Sequence, residues 1–168
     1  MSMFDELLAI KRFREGQAEL AVVRQRQVHA DAEQARLAAE HDLQQFRHWA
    51  QQRESDMYGD LCSRLVRVRD IEDVLQGVAG LREDERQHET VLDEAGKQVE
   101  REAQALAERR THHRDATRTT EKFVELAQVN LAEHLKEMER KEDLEMEEVA
   151  AVARDRNDWE QHEEYEPA

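Results

Sequence analysis

Residues 18–49 read AELAVVRQRQVHADAEQARLAAEHDLQQFRHW, and the spacing of apolar side chains in this stretch decides the fold. From Ala18 they fall on alternating steps of three and four: Ala18, Ala21, Gln25, Val28, Ala32, Ala35, Ala39, Asp42, Phe46 and Trp49, eight of the ten apolar. An α-helix turns once in 3.6 residues, so such a series lines one face and forms the seam of a coiled coil. The many alanines predict close approach of a partner helix, with bulkier packing at Phe46 and Trp49.

Outward from this stretch, the first helix is expected over about residues 3–58, with Ser2 as its cap and Asp5 three residues on. The rhythm breaks at Tyr58-Gly59-Asp60-Leu61-Cys62-Ser63-Arg64. Gly59 suits a helix C-cap, and Ser63 or Asp70 can cap the second helix. A turn over about 59–69 is long for a helix pair, whose loops run about 2–8 residues, so a shorter turn between slightly extended helices is also open. The second helix is expected over about 70–156. Its seam is Ile71, Val74, Val78, Leu81, Glu85, His88, Leu92, Ala95, Val99, Glu102, Leu106, Arg109, His113, Ala116, Thr120, Phe123 and Ala127, eleven of 17 apolar.

Beyond Phe123, three steps of four residues interrupt the heptads, and Leu131, Leu135, Met138, Val149 and Val152 continue the stripe. Residues 1–157 thus form one domain, an all-α, antiparallel two-helix coiled-coil hairpin with a longer second helix. Residues 158–168 are expected to be an acidic, disordered tail. A fold near residue 63 sets Phe4 opposite Phe123. It leaves ~28 residues after Ala127 without a partner, an overhang of roughly 40 Å at 1.5 Å per residue.

The composition agrees. Charged residues make up 39% of the chain and aromatics 5%, and Pro167 is the one proline, so nothing interrupts a helix before it. The net charge of −15 disfavours nucleic acid and anionic lipid, which require clustered Lys and Arg. No stretch reaches the ~20 apolar residues that span a bilayer, and the N-terminus lacks a signal-peptide pattern, so a soluble cytoplasmic protein is expected.

Catalysis finds no foothold. The single cysteine, Cys62, excludes an internal disulfide and a thiolate metal site, and it has no activating base nearby. His112 and His113 point about 100° apart on a helix and cannot share a metal as an i, i+4 pair does. Phosphate loops, nucleophile elbows and zinc-binding helix motifs are missing. The carboxylates read as a wet helix surface. No enzyme activity, cofactor or metal is expected.

Two apolar concentrations remain. Phe46, Trp49 and Tyr58 gather towards the turn, framed by Arg47 and His48 on the outer side. They either stiffen the hairpin end or anchor a partner, since aromatics are favoured in interfaces. Phe4, Leu7, Leu8, Ile10 and Phe13 spread beyond one seam, so some of them face solvent or a partner. Trp159 and Tyr165, in the acidic tail, carry no reading.

The order of these features resembles a known family. Leu7-Leu8-Ala9-Ile10-Lys11-Arg12-Phe13-Arg14 opens the chain, and Phe46-Arg47-His48-Trp49 precedes the turn. Arg69-Asp70-Ile71-Glu72-Asp73-Val74 follows it, then Glu121-Lys122-Phe123-Val124-Glu125-Leu126 and the acidic run Glu142–Ala150. Over about residues 3–150 the chain resembles the YscO/FliJ family, the central stalk proteins of type III secretion systems, and is nearer the virulence-type YscO branch.

The resemblance implies a cytoplasmic bacterial coiled coil, associated with the secretion apparatus at the inner membrane and similar to the stalk of rotary ATPases. It implies that the end carrying the termini enters the hexameric secretion ATPase. It also implies contact with the cytoplasmic domain of the export gate, and escort of export chaperones. The candidate ATPase contacts are then Phe4, Leu7, Leu8, Ile10, Phe13, Phe123, Leu131 and Leu135. The candidate gate contacts are Phe46, Trp49 and Tyr58. The competing classes are an adaptor that holds client helices on the stripe after Ala127, and a plain coiled coil that dimerises through it.

Overall fold

The computed structural model describes residues 3–163, which form two helices, α1 (Met3–Cys62) and α2 (Val68–Glu163). The proposed cap at Ser2 lies outside these residues. The chain is an all-α helical hairpin whose second helix is the longer, 96 residues against 60. It divides into two compact units. One is Gly16–Asp115, which contains the turn; the other joins the residues up to Glu15 with those from Ala116 onward.

The turn is shorter than the expected 59–69. Helix α1 runs on through Gly59, which has an ordinary negative φ and does not serve as a left-handed C-cap. The helix closes instead on Ser63, whose amide donates to the Gly59 carbonyl at 3.1 Å and whose hydroxyl donates to the Asp60 carbonyl at 2.9 Å. Ser63 therefore finishes α1 and does not cap α2. At the start of α2, the Arg67 amide donates to the Asp70 carboxylate at 3.0 Å, half of a capping box. Residues 63–67 remain as the loop, within the usual span for a helix pair.

In the unit that contains the turn, the α1 seam shares Ala18, Gln25, Ala32, Ala39 and Phe46 with the expected series. Its other positions move one residue on, to Val22, His29, Leu43 and Ala50. Leu43 is 3% exposed and Val22 is buried, whereas Trp49 is 54% exposed and Val28 also faces solvent. The order of steps is thus four then three, because that order seats a leucine where the other would seat Asp42. The α2 seam follows the expected positions except at Ile71 and Arg109, which are exposed.

Polar residues in the seam are satisfied across it. The Gln25 amide donates to both the carbonyl and the carboxylate of Glu102, which also accepts from Gln98 at 2.7 Å. Such pairing removes most of the penalty for a half-buried carboxylate. No buried polar side-chain atom among the described residues lacks a partner. Burial itself is thin: among the described residues Ala18, Val22, Ala39, Leu43 and Leu106 are the buried apolar ones, and none has a wholly enclosed side chain.

In the other unit, Phe4, Leu7, Leu8, Lys11 and Glu15 of α1 are half-buried, as are Ala116, Thr117, Phe123, Val124 and Ala127 of α2. Thr120 is buried; its hydroxyl donates to the Ala116 carbonyl at 3.0 Å and lies 3.4 Å from that of Lys11. The Thr117 hydroxyl donates to the Glu15 carboxylate at 3.0 Å. Phe123 meets Lys11, whose ammonium stands 5.2 Å from the ring centroid, and not Phe4. A turn centred on Leu65 instead of residue 63 shifts every facing pair by about four residues, one helical turn.

Candidate partner-binding surfaces

The described residues offer helix faces and no enclosed chamber. Among them no group of three His, Cys, Asp or Glu could hold a metal ion, and no helix is long and apolar enough to cross a membrane. Cys62 is free and exposed.

Around the termini, the eight candidate residues divide three ways. Phe4, Leu7, Leu8 and Phe123 are half-buried in the seam, where they hold α1 to α2 and keep only part of their surface. Ile10 and Phe13 face outward, Phe13 at 67% exposure, since they stand about 100° or more from the seam on α1. Leu126 and Val129 are their exposed counterparts on α2, which the sequence reading left out because the heptad count assigned neither to the seam. Leu131 and Leu135 belong to the overhang.

That overhang begins later than expected. Asn130 is the last half-buried residue, and every described residue from Leu131 to Glu163 is exposed. Helix continues without interruption to Glu163, so residues 158–163 of the expected disordered tail are helical here, and Trp159 is exposed. Good helix formers and the absence of Pro or Gly between Gly96 and Pro167 account for the persistence. Tyr165 lies outside the described residues.

Near the turn the structure separates what the sequence grouped. The Phe46 ring is half-buried, 4.7 Å from the His88 imidazole and 5.7 Å from the Trp49 ring. Phe46 stands 17 residues before the loop, about 25 Å along the helix, so this pair is not at the tip. Arg47 is not an outer frame either. It reaches α2, its Nε donating to Glu85 and its Nη2 to Glu89, each at 2.9 Å. Hydrogen bonds to the two carboxylates raise the guanidinium pKa above its ordinary value. Arg82 repeats the pattern with Glu54 at 3.2 Å.

Tyr58, exposed, is the one candidate near the loop, and it has exposed company in Leu65, Val68, Ile71 and Leu75. The sequence reading missed Leu65 and Val68 by taking 59–69 as a structureless connection. Their signal is the run of Leu65, Val66 and Val68 among Arg64, Arg67 and Arg69, of which Val66 alone is half-buried.

Comparison with known proteins agrees with this architecture. The family model for type III secretion protein YscO matches residues 4–152. The crystal structure of type III secretion protein YscO from Vibrio parahaemolyticus is similar, with 30% sequence identity and a TM-score of 0.83. The match covers 87% of this chain and 92% of that one. Among curated protein sequences, none matches.

Proposed function

The chain belongs to the family of type III secretion protein YscO, and on that premise we propose that it is a non-enzymatic stalk of a secretion export apparatus. It works in the bacterial cytoplasm at the inner membrane. It binds the hexameric secretion ATPase through the unit carrying the termini, and contacts the export gate through the unit carrying the turn. Escort of export chaperones is part of the same role.

The observation that carries the first assignment is the end of helix pairing at Asn130, with Ile10 and Phe13 outward on α1 and Leu131 and Leu135 outward on α2. Apolar side chains left outside a seam are where association gains free energy, about 25 cal/mol per Å² removed from water. Mixed-sign charge on the remaining faces supports weak, exchangeable contacts, which suits a rod seated in a multi-subunit pore. For the gate, Trp49, Tyr58, Leu65 and Val68 are the exposed anchors, with Phe46 backing Trp49.

The test is the activity and oligomerisation of the cognate secretion ATPase with and without this protein. Stimulation or hexamer stabilisation that disappears on deleting residues 1–13 supports the stalk. Absence of binding, or binding unaffected by that deletion, rejects the ATPase assignment.

A further inference from the structure

Residues 131–163 pose a physical problem. They form nine turns of helix with no neighbour, whereas most helical stability in proteins comes from packing an amphipathic face against a partner. Leu131, Leu135 and Met138 follow Phe123 and Ala127 at steps of three and four, so they continue the line of residues that α1 covers up to Asn130. Val149 and Val152 return to that line three turns after Met138. The seat that α1 occupies beside α2 therefore continues, empty and one helix wide, past the start of α1.

Charge narrows the occupant. Residues 131–163 hold twelve carboxylates against five Lys and Arg, a net −7. Glu142 and Glu145 fall within the apolar line, between Met138 and Val149, where a facing helix would cover them. Among the described residues neither has an ion-pair partner; the one ion pair found in the segment joins Arg140 to Glu137 at 3.6 Å. A helix closing over this line must bring cations opposite those two carboxylates, because covering them unpaired is costly. A second copy of the segment would set −7 against −7.

We propose that residues 131–163 receive a basic amphipathic helix from another protein, which takes up the position α1 leaves vacant and places Lys or Arg against Glu142 and Glu145. This extends the stalk role, but its test uses no secretion component, so either proposal can fail alone.

The experiment is hydrogen exchange on the full chain with two synthetic 28-residue peptides, both with Leu at the seam positions of each heptad. One has Lys at the flanking positions and the other Glu. The Lys peptide is expected to slow exchange at least tenfold over residues 131–156, leave Gly16–Asp115 unchanged, and bind at least tenfold more tightly than the Glu peptide. In the double variant Glu142→Lys, Glu145→Lys that preference falls at least tenfold, while thermal melting shows the hairpin intact. Equal binding of both peptides, protection spread along the hairpin, or a preference unchanged in the variant overturns the proposal. So does protection that rises with protein concentration alone, or that anionic or zwitterionic vesicles reproduce.

Discussion

Leu43 and Trp49 carry the difference between two ways of counting the first seam. Six residues apart, they cannot share one interface line, and the structure buries Leu43 while Trp49 is half exposed. Leu43→Ala should lower unfolding free energy by about 2–4 kcal/mol through lost burial and the cavity left behind. Trp49→Ala should cost under about 1 kcal/mol, as an exposed substitution does. Urea midpoints of the two variants decide the matter, and the reverse order would restore the count that includes Asp42. The sequence alone favoured that count because alanines score as apolar at either set of positions. What separates the sets is side-chain volume, and a tally of apolar residues does not weigh it.

Gly80 and Gly96 give a second residue-scale test. Both are helical, and a Cβ built on either meets nothing within 4 Å. Alanine there should stabilise by about 0.5–1 kcal/mol each, since glycine loses more backbone freedom on entering a helix. A lower melting temperature for either variant would mean that the site touches something in the free protein. Arg47 differs in kind, because its contribution depends on charge. Hydrogen bonds to Glu85 and Glu89 raise its pKa, so its stabilising effect is fully present below the unfolded value and lost only as pH rises through the folded one. The destabilisation measured for Arg47→Ala should therefore be no smaller at about pH 9 than at about pH 7, both far below the titration of arginine. Loss of the effect at the higher pH would assign it to some other group.

At the scale of helices, the asymmetry of α1 and α2 governs what can be removed. The described residues from Leu131 to Glu163 are all exposed, so a chain ending at Asn130 should melt within a few degrees of the full chain, by the usual relation of free energy to melting temperature. Its helical ellipticity should fall by the share those residues hold. A large drop in melting temperature would show that the segment folds back on the hairpin. This asymmetry was legible from the heptads, because the α2 seam is regular from Val74 to Ala127 and only its counterpart on α1 runs out. The turn was less legible. Gly59 looked like a terminator, yet glycine is tolerated inside a helix at about 1 kcal/mol, and the stop of α1 comes from Ser63 and the start of α2 from Asp70, each hydrogen-bonding to backbone. Of the candidate contacts, Ile10, Phe13 and Tyr58 are exposed, and so is Trp49, which the heptad count had placed in the seam. Leu65 and Val68 escaped because one lies in the loop and the other is the first residue of α2, a stretch too short to show a period.

For the whole molecule, burial among the described residues is thin, the charge is −15, and apolar residues stand outside the seams. These are surfaces available to partners, as the proposed function requires. Family membership places it in type III secretion, and the unpaired stretch of α2 marks the part of the chain with most surface left to offer. The proposed division of labour puts the ATPase on the unit with the termini and the gate on the unit with the turn. Hydrogen exchange of the full chain in the presence of its cognate secretion ATPase measures that assignment directly. Protection should appear over residues 3–15 and from 116 to about 140, with residues 56–75 exchanging as in the free protein. Protection confined to residues 56–75, or none anywhere at saturating ATPase, would contradict it.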